Sequence, residues 1–312
     1  MSKSDLPKIF FAKMVRLGYA TGILRIAIVQ SAASYFYTKL VFPILCRLFP
    51  SYSQQIISVD DLLFNVSTAD QGGIGFTISL KQNAYMTRLF RDIAKPGTCI
   101  LDCGAYIGYY TVQGSKLVGE YGKVIAIEPH PANFKLLQQN VATNNCHNVI
   151  MHQVALSDTA DITPFFINKR DSTAHSLHPR DSRNSSGSLS VETMRGDDIC
   201  KGEVVNLIKI DVEGAELAVL KGMENILAQE QLALFIEFQP KNLLRAGVEP
   251  AMLIAFLKER NFTLFHIDEK QNVLHHLESK DAINDLQESK KEQNLLCIKG
   301  ITLAETQESV LT

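Results

Sequence analysis

The chain has 312 residues, 46% of them hydrophobic, which suffices for one large α/β domain with an extension or at most two domains. A net charge of −2 with both signs interspersed leaves no basic stripe, so a nucleic-acid partner held through phosphate neutralisation has no footing here. The six cysteines show no C-x-x-C and no zinc spacing with histidine, and no clean apolar core with a cleavage site opens the chain; free thiols and a cytoplasmic location are expected.

Residues 1–56 form a compositional zone of their own, apolar and aromatic but interrupted by Arg16, Arg25, Lys39 and Arg47. Its longest uncharged stretch, 26–38, is too short to span a bilayer. The zone reads as an amphipathic helical extension that docks on protein, pairs two copies of the chain, or lies peripherally on a membrane. From Ser58 to Ser79 short β-like runs are separated by Asp60-Asp61 and Gln71-Gly72-Gly73, the pattern of a hairpin, and Lys81 to Ala94 is helical.

The stretch Leu101 to Thr111, LDCGAYIGYYT, then ends a buried strand at Asp102 and turns through Gly104 and Gly108 into a helix that lasts to Val118. Such a turn directs backbone N–H groups into a crevice that a ligand can approach without meeting Cβ atoms. Strands alternate with helices from there: strand 124–128, helix 131–144, strand 149–155, strands 161–168 and 189–193 around a polar loop, strand 204–211, helix 215–228, strand 232–238, helix 249–260, strand 262–267 and a last strand 294–299. Residues 268–293 read as a long connection with some helix. The alternation points to a doubly wound parallel sheet, with an N-terminal helical extension (1–56), a catalytic domain (57–300) and a tail (301–312). The polar loop 168–188 is either a lid or a plain surface loop.

Three strands finish at carboxylates, Asp102, Glu128 and Asp211, and in such a sheet all those ends open onto one crevice. Glu128 stands where an acid accepts hydrogen bonds from ribose hydroxyls, or else caps the next helix. Asp102 suits a cationic amino group, or satisfies the turn's own N–H groups. The spacing G-x-x-x-G lacks the third glycine of dinucleotide sites. A nucleoside with a cationic amino-acid tail fits this set of groups, and S-adenosylmethionine is such a ligand.

LDCGAYIGYYT, VIAIEPHPANFKLLQQN, VALSD, IKIDVEGAELAVLKG and LFIEFQP, in that order, resemble the FkbM family of S-adenosylmethionine-dependent methyltransferases. The resemblance implies a seven-stranded, Rossmann-like class I methyltransferase fold with an antiparallel last strand, and methylation of a hydroxyl on a sugar, glycolipid, polysaccharide or secondary metabolite. It implies that Asp102, Gly104, Ala105, Tyr106 and Gly108 line the methionine and ribose, that Glu128 holds the ribose, that Pro129, Leu156, Ser157 and Asp158 border the adenine, and that Asp211 faces the methyl-transfer site. Tyr106 stands where the family commonly has Asn, and the family's T-L-D-D block is replaced by Thr193 to Asp198.

Methyl transfer to oxygen needs an in-line pose and a base for the hydroxyl proton. Asp211 and Glu213 lead the candidates, followed by Glu237 and by His175 on the polar loop, whose His178 neighbour completes no metal site. The partner is then a small-molecule or glycan acceptor. Two other readings stay open on the sequence: a nicotinamide-dependent oxidoreductase, which also wants an acid on the second strand, and a non-catalytic nucleoside-binding scaffold.

Overall fold

Short apolar runs rich in Ile, Val and Leu, each closed by a polar or glycine turn, become strands, and the longer amphipathic runs between them become helices. A computed structural model of the protein describes residues 54–67, 84–168, 171–179, 185–289 and 292–303. The expected helix pair of the N-terminal zone lies outside them, as do residues 68–83 and the tail beyond Leu303. The chain divides into the units Met1–Gln54 and Gln55–Thr312; all that follows concerns the second and the strand residue that opens it.

The strands are β1 (Gln54–Val59), β2 (Leu62–Ser67), β3 (Cys99–Cys103), β4 (Lys123–Ile127), β5 (Val149–His152), β6 (Ala155–Leu156), β7 (Asp161–Asn168), β8 (Ser185–Met194), β9 (Val205–Ile210), β10 (Leu232–Phe238), β11 (Thr263–Asp268), β12 (Val273–His276) and β13 (Gln293–Lys299). The helices are α1 (Ala84–Ile93), α2 (Tyr109–Val118), α3 (Pro131–Thr143), α4 (Gly196–Ile199), α5 (Glu216–Lys221), α6 (Glu224–Leu227), α7 (Pro240–Arg245), α8 (Pro250–Glu259) and α9 (Lys280–Glu288).

The central sheet has the order β12-β11-β13-β10-β9-β3-β4-β5. Strands β3, β4, β5, β9 and β10 are parallel, and β13 runs antiparallel between β10 and β11. This is the doubly wound sheet expected, with one strand more than seven. The extra strand, β12, pairs with β11 and lies within the stretch read as a connection. Its four residues, VLHH, are too few and too polar to announce a strand. The strand order reverses between β3 and β9, and a crevice opens at the carboxyl ends of strands at such a point.

Apolar side chains fill both faces of the sheet. Leu101, Ile125, Ile208, Ile210, Leu234 and Ile236 pack under α5 and α8, while Ile100, Val124, Leu207 and Phe235 pack under α1 with Leu89 and Phe90. A separate three-stranded sheet, β6-β8-β7, is inserted between β5 and β9. The strand expected over 149–155 is therefore split between two sheets.

The helix expected over 215–228 is broken into α5 and α6. At the break a Cβ on Gly222 would lie 2.1 Å from the Ser157 carbonyl oxygen, so only glycine admits that strand-to-helix contact. Beyond it the Gly222 carbonyl accepts from Asp197 N, and the Asp197 carboxylate accepts from the N–H groups of Asn225 and Ile226. The start of α6 is thus capped from α4, a service no local pattern reveals.

The hairpin β1–β2 turns at Asp60 and Asp61, both at positive φ (50° and 64°), the two-residue turn whose twist suits paired strands. Asp60 is tied to Arg91 of α1. The outer edge of β2 is met by two asparagines of α3, one helical turn apart. Leu63 N donates to Asn144 Oδ1 (3.0 Å) while Asn144 Nδ2 donates to Leu63 O (2.7 Å). Asn65 N donates to Asn140 Oδ1 (2.6 Å), and Asn140 Nδ2 reaches Asn65 O and, at 2.8 Å, Ile107 O. Phe64 and Val66 then enter the core beside Ile107, Leu137 and Val141.

Asn140 is fully buried, and its loss strands a backbone donor and a carbonyl at once. Asn140→Ala is expected to cost about 2–3 kcal/mol, since an unsatisfied buried polar group costs ~1–3 kcal/mol and more than one is exposed here. Urea denaturation of the purified protein reads this directly, and a loss under about 0.5 kcal/mol, the range of ordinary surface changes, would show that the pairing is dispensable.

Candidate active site

Asp102 ends β3 fully buried, and the chain then folds back through Gly104 (φ 79°), Tyr106 (φ 52°) and Gly108 (φ 91°) into α2. A Cβ on Gly104 would stand 1.9 Å from the Asp211 carbonyl oxygen, so the turn rests directly on the end of β9. The turn's N–H groups are spent within the protein, contrary to the reading that they face a ligand. Gly104 N and Ala105 N both donate to Ile127 O, Tyr106 N donates to Glu128 Oε2 (2.9 Å), and Gly108 N donates to Ala105 O. Polar contact with a ligand falls to side chains instead.

Glu128 accepts two backbone N–H groups, one of them at the start of the next helix. Its Oε1 accepts from His130 N (2.8 Å) just before α3, and its Oε2 holds the turn at Tyr106. Burial raises its carboxyl to about 8, against the pull of these N–H groups. Asp102 accepts from Thr111 Oγ1 on Oδ2 (2.6 Å), and its Oδ1 is buried without a partner.

Lys209, which the sequence reading passed over, sits in the apolar run VNLIKI of β9 and pairs in strand register with Asp102. Its Nζ donates to Asp211 Oδ2 at 2.8 Å and lies 5.2 Å from the centre of the Tyr110 ring. A charged residue amid a buried strand is the signal that could have singled it out.

After Asp211 the backbone passes through Glu213 at φ 56° and Gly214 at φ 109°. A Cβ on Gly214 would meet the Asn242 carbonyl oxygen at 2.6 Å, and Asn242 Nδ2 donates to Glu213 Oε2 (2.6 Å), which joins this loop to α7. Glu216 is buried at the start of α5, where Oε1 accepts from Gly214 N and burial raises the carboxyl to about 7. Burial, reinforced by Asp211, Glu213, Glu292 and Glu216, pushes Glu237 at the end of β10 well above the carboxylate range. Ile210 pairs with Ile236 in the parallel ladder, so Asp211 and Glu237 follow side by side at the carboxyl ends of β9 and β10, with Glu213 two residues further on.

The remaining expected residues fall as follows. Pro129 is half-buried between Glu128 and α3. Leu156 belongs to β6, Ser157 N donates to Met194 O, and Ser157 and Asp158 pass the helix break at Gly222. Segment 171–179, the described part of the polar loop, folds inward. Tyr106 Oη and Ser172 Oγ share a hydrogen bond (2.8 Å), Asn133 Nδ2 donates to Ser172 O, and Ser176 Oγ donates to Glu213 O (2.8 Å). The His175 and His130 rings lie 4.2 Å apart, and His175 Nδ1 accepts from Asn168 N. His175 thus serves the loop's own structure. Among the described residues no cluster of His, Cys, Asp and Glu is placed to hold a metal.

The comparisons decide the assignment. Residues 102–264 match the family model described as the methyltransferase FkbM domain. The chain belongs to the FkbM family. Over 183 residues it is 30% identical to the hexuronic acid methyltransferase AglP of Haloferax volcanii, covering 58% of this chain and 70% of that protein. Over 148 residues it is 30% identical to methyltransferase 1 of Beauveria bassiana, covering 40% of this chain and 58% of that one. The solved FkbM methyltransferase of Methylobacillus flagellatus is 17% identical with a TM-score of 0.40, over 67% of this chain and 49% of its own, and adds nothing to the assignment at that score.

Membership makes this FkbM protein an S-adenosylmethionine-dependent methyltransferase, and the nicotinamide and scaffold alternatives fall. The residues present suit that cofactor. Asp102 Oδ1, Glu216 Oε2, Glu237 Oε2 and Gln239 Oε1 are buried oxygens without partners at the carboxyl ends of β3, β9 and β10. All are acceptors, and the cofactor brings an ammonium and ribose hydroxyls, which are donors.

A pH dependence follows from the buried acids. Glu128 and Glu216 have raised values in the fold, about 8 and about 7 against an ordinary 4.5, so their contribution is present in full below the ordinary value and is lost as pH rises through the raised ones. The ligand-free protein should therefore lose thermal stability between about pH 5 and about pH 8. In Glu128→Gln that decline should be shallower. Equal slopes for variant and wild type in a thermal-unfolding series would show that Glu128 does not titrate there.

Proposed function

We propose that this FkbM methyltransferase methylates a hydroxyl group on a sugar, glycolipid, polysaccharide or secondary metabolite. The relative named as a hexuronic acid methyltransferase supports a glycosyl acceptor. The observation that carries the reading is the meeting of Asp211, Glu213 and Glu237 on the sheet edge next to the Asp102–Glu128 cleft.

Bound S-adenosylmethionine supplies a methyl group on a positively charged sulfur. Asp102 would hold its amino group on the open Oδ1, and Glu128, with Tyr106 and Gly108 shaping the turn, would hold the ribose hydroxyls. Pro129 and Leu156 to Asp158 border the base. Lys209 holds one oxygen of Asp211, and the half-exposed carboxylate offers the other to the acceptor hydroxyl. Asp211 would take the acceptor hydroxyl's proton, its charge thereby neutralised, as the methyl carbon passed from sulfur to that oxygen and the carbon–sulfur bond broke with its electron pair left on sulfur. Glu213, fixed by Asn242, and Glu237 flank the acceptor and keep its hydroxyl directed. Segment 171–179 closes the cleft against water through its bonds to Tyr106, Asn133 and Glu213.

Asp211→Asn keeps the size and loses the basicity. With an acceptor found by screening hydroxylated sugars and glycolipids for S-adenosylhomocysteine release, turnover should fall by about 10²–10⁴-fold, the usual contribution of a positioned base. Affinity for S-adenosylhomocysteine, measured by calorimetry, should change only a few-fold, whereas Glu128→Ala should weaken it about tenfold or more. Near-normal turnover in Asp211→Asn would transfer the role to Glu213 or Glu237.

A further inference from the structure

A lysine buried in the middle of a parallel sheet is costly unless its charge is answered, because desolvation of an ammonium amounts to several kcal/mol. Lys209 is 6% exposed, and its answer comes from two carboxylates. Asp211, two residues on along β9, takes its hydrogen bond, and Asp102, its cross-strand partner, acts on it through space. Burial draws the ammonium's proton affinity down, but Asp211 and Asp102 more than offset this and hold it above the usual lysine value, so the group stays charged. The Tyr110 ring of α2 adds a cation–π contact.

Burial raises the Asp102 carboxyl while Lys209 and Thr111 pull it back, and with both carboxylates ionised the charges of this triad sum to minus one. Asp211 is engaged by the ammonium, while Asp102 keeps a buried oxygen with no partner. One net negative charge answers one positive charge on a ligand, and the ammonium of the cofactor's amino-acid tail is present before and after the reaction. The sulfur carries a second positive charge only before it. Compensation is therefore complete for the product and incomplete for the substrate.

We propose that Lys209 is a positioning residue that sets the balance between S-adenosylmethionine and S-adenosylhomocysteine, by placing a buried ammonium at the end of the cleft where the two ligands differ by one charge. This rests on the reading that Asp211 borders the methyl-transfer site. The ammonium leaves the sulfonium electrostatically underpaid in the ground state, and the strain is relieved as positive charge leaves sulfur. It also keeps Asp102 and Asp211 from sharing a proton as two neighbouring acids otherwise would.

The test compares the affinities of the two ligands in wild type, Lys209→Met and Lys209→Arg, by calorimetry at pH 7.5 and pH 9. Folding is checked by circular dichroism. The groups facing Lys209 are Asp102 on β3, Asp211 on its own strand, Tyr110 on α2 and Glu292 before β13, and the higher pH favours full ionisation of the acids. The wild type should bind S-adenosylhomocysteine at least as tightly as S-adenosylmethionine.

In Lys209→Met the ratio should shift toward S-adenosylmethionine by about tenfold, the order expected for one charge at several ångströms in a protein interior. Lys209→Arg should stay near the wild-type ratio. With an acceptor in hand, Lys209→Met should lower kcat and KM for the cofactor together, a split that general loosening of the site would not give.

A ratio within about twofold of wild type at both pH values, or equal weakening of both ligands, overturns the proposal. If Lys209→Met does not fold, the wild type alone still decides: a preference for S-adenosylmethionine of about tenfold or more refutes the charge balance. Absence of binding by either ligand to the wild type would instead count against the placement of the cofactor cleft.

Discussion

No side chain fits between Gly104 and the carbonyl of Asp211, and the arrangement of the site depends on that exclusion. The turn after β3 lies against the end of β9, where any Cβ would penetrate a backbone oxygen. This contact brings the acid that ends one strand within reach of the lysine and acid of the next. It also forces the turn upward into positive φ at Gly104, Tyr106 and Gly108, and Glu128 then clamps the turn by accepting from Tyr106 N. One close approach thus fixes the turn after β3 and the end of β9 relative to each other, as preorganised sites require.

Most of the sheet and much of the cleft were legible in the sequence, because buried parallel strands appear as apolar runs and their carboxyl ends must converge. Asp102, Glu128 and Asp211 were found this way. What stayed hidden depends on partners remote in the chain. Whether the turn's N–H groups face a ligand or Ile127 is decided by the neighbouring strand. Gly222 interrupts a helix because Ser157 crosses it, and Asp197 caps α6 from α4. Strand β12 is an edge strand of four residues ending in two half-buried histidines, and such a run carries no period to read. Lys209 was visible but was taken as part of a strand, since its meaning lies in the register that sets it beside Asp102.

The family supplies a methyl-transfer chemistry that asks little of covalent participation and much of placement. The protein answers with buried carboxyls whose affinity for protons is raised by burial, and with segment 171–179 bonded to the turn, to α3 and to the loop after β9. Tyr106 departs from the asparagine common at its position, and its hydroxyl bond to Ser172 gives that departure a local purpose: a residue in left-handed conformation reaches out of the turn to fasten the segment that covers it.

The two asparagines of α3 that meet β2 have an effect beyond their own hydrogen bonds. A hairpin laid on the outside of a domain ordinarily presents one strand with its backbone bare, a template on which another chain can add itself. Here the side-chain amides at Asn140 and Asn144 occupy that row as a neighbouring strand would, at Leu63 and at Asn65. A slip of one residue would present the wrong face of β2 to both amides and expel Phe64 and Val66 from the core, so a helix enforces alignment on a strand it cannot pair with through backbone atoms. Self-association by strand addition is thereby closed off along that length of β2.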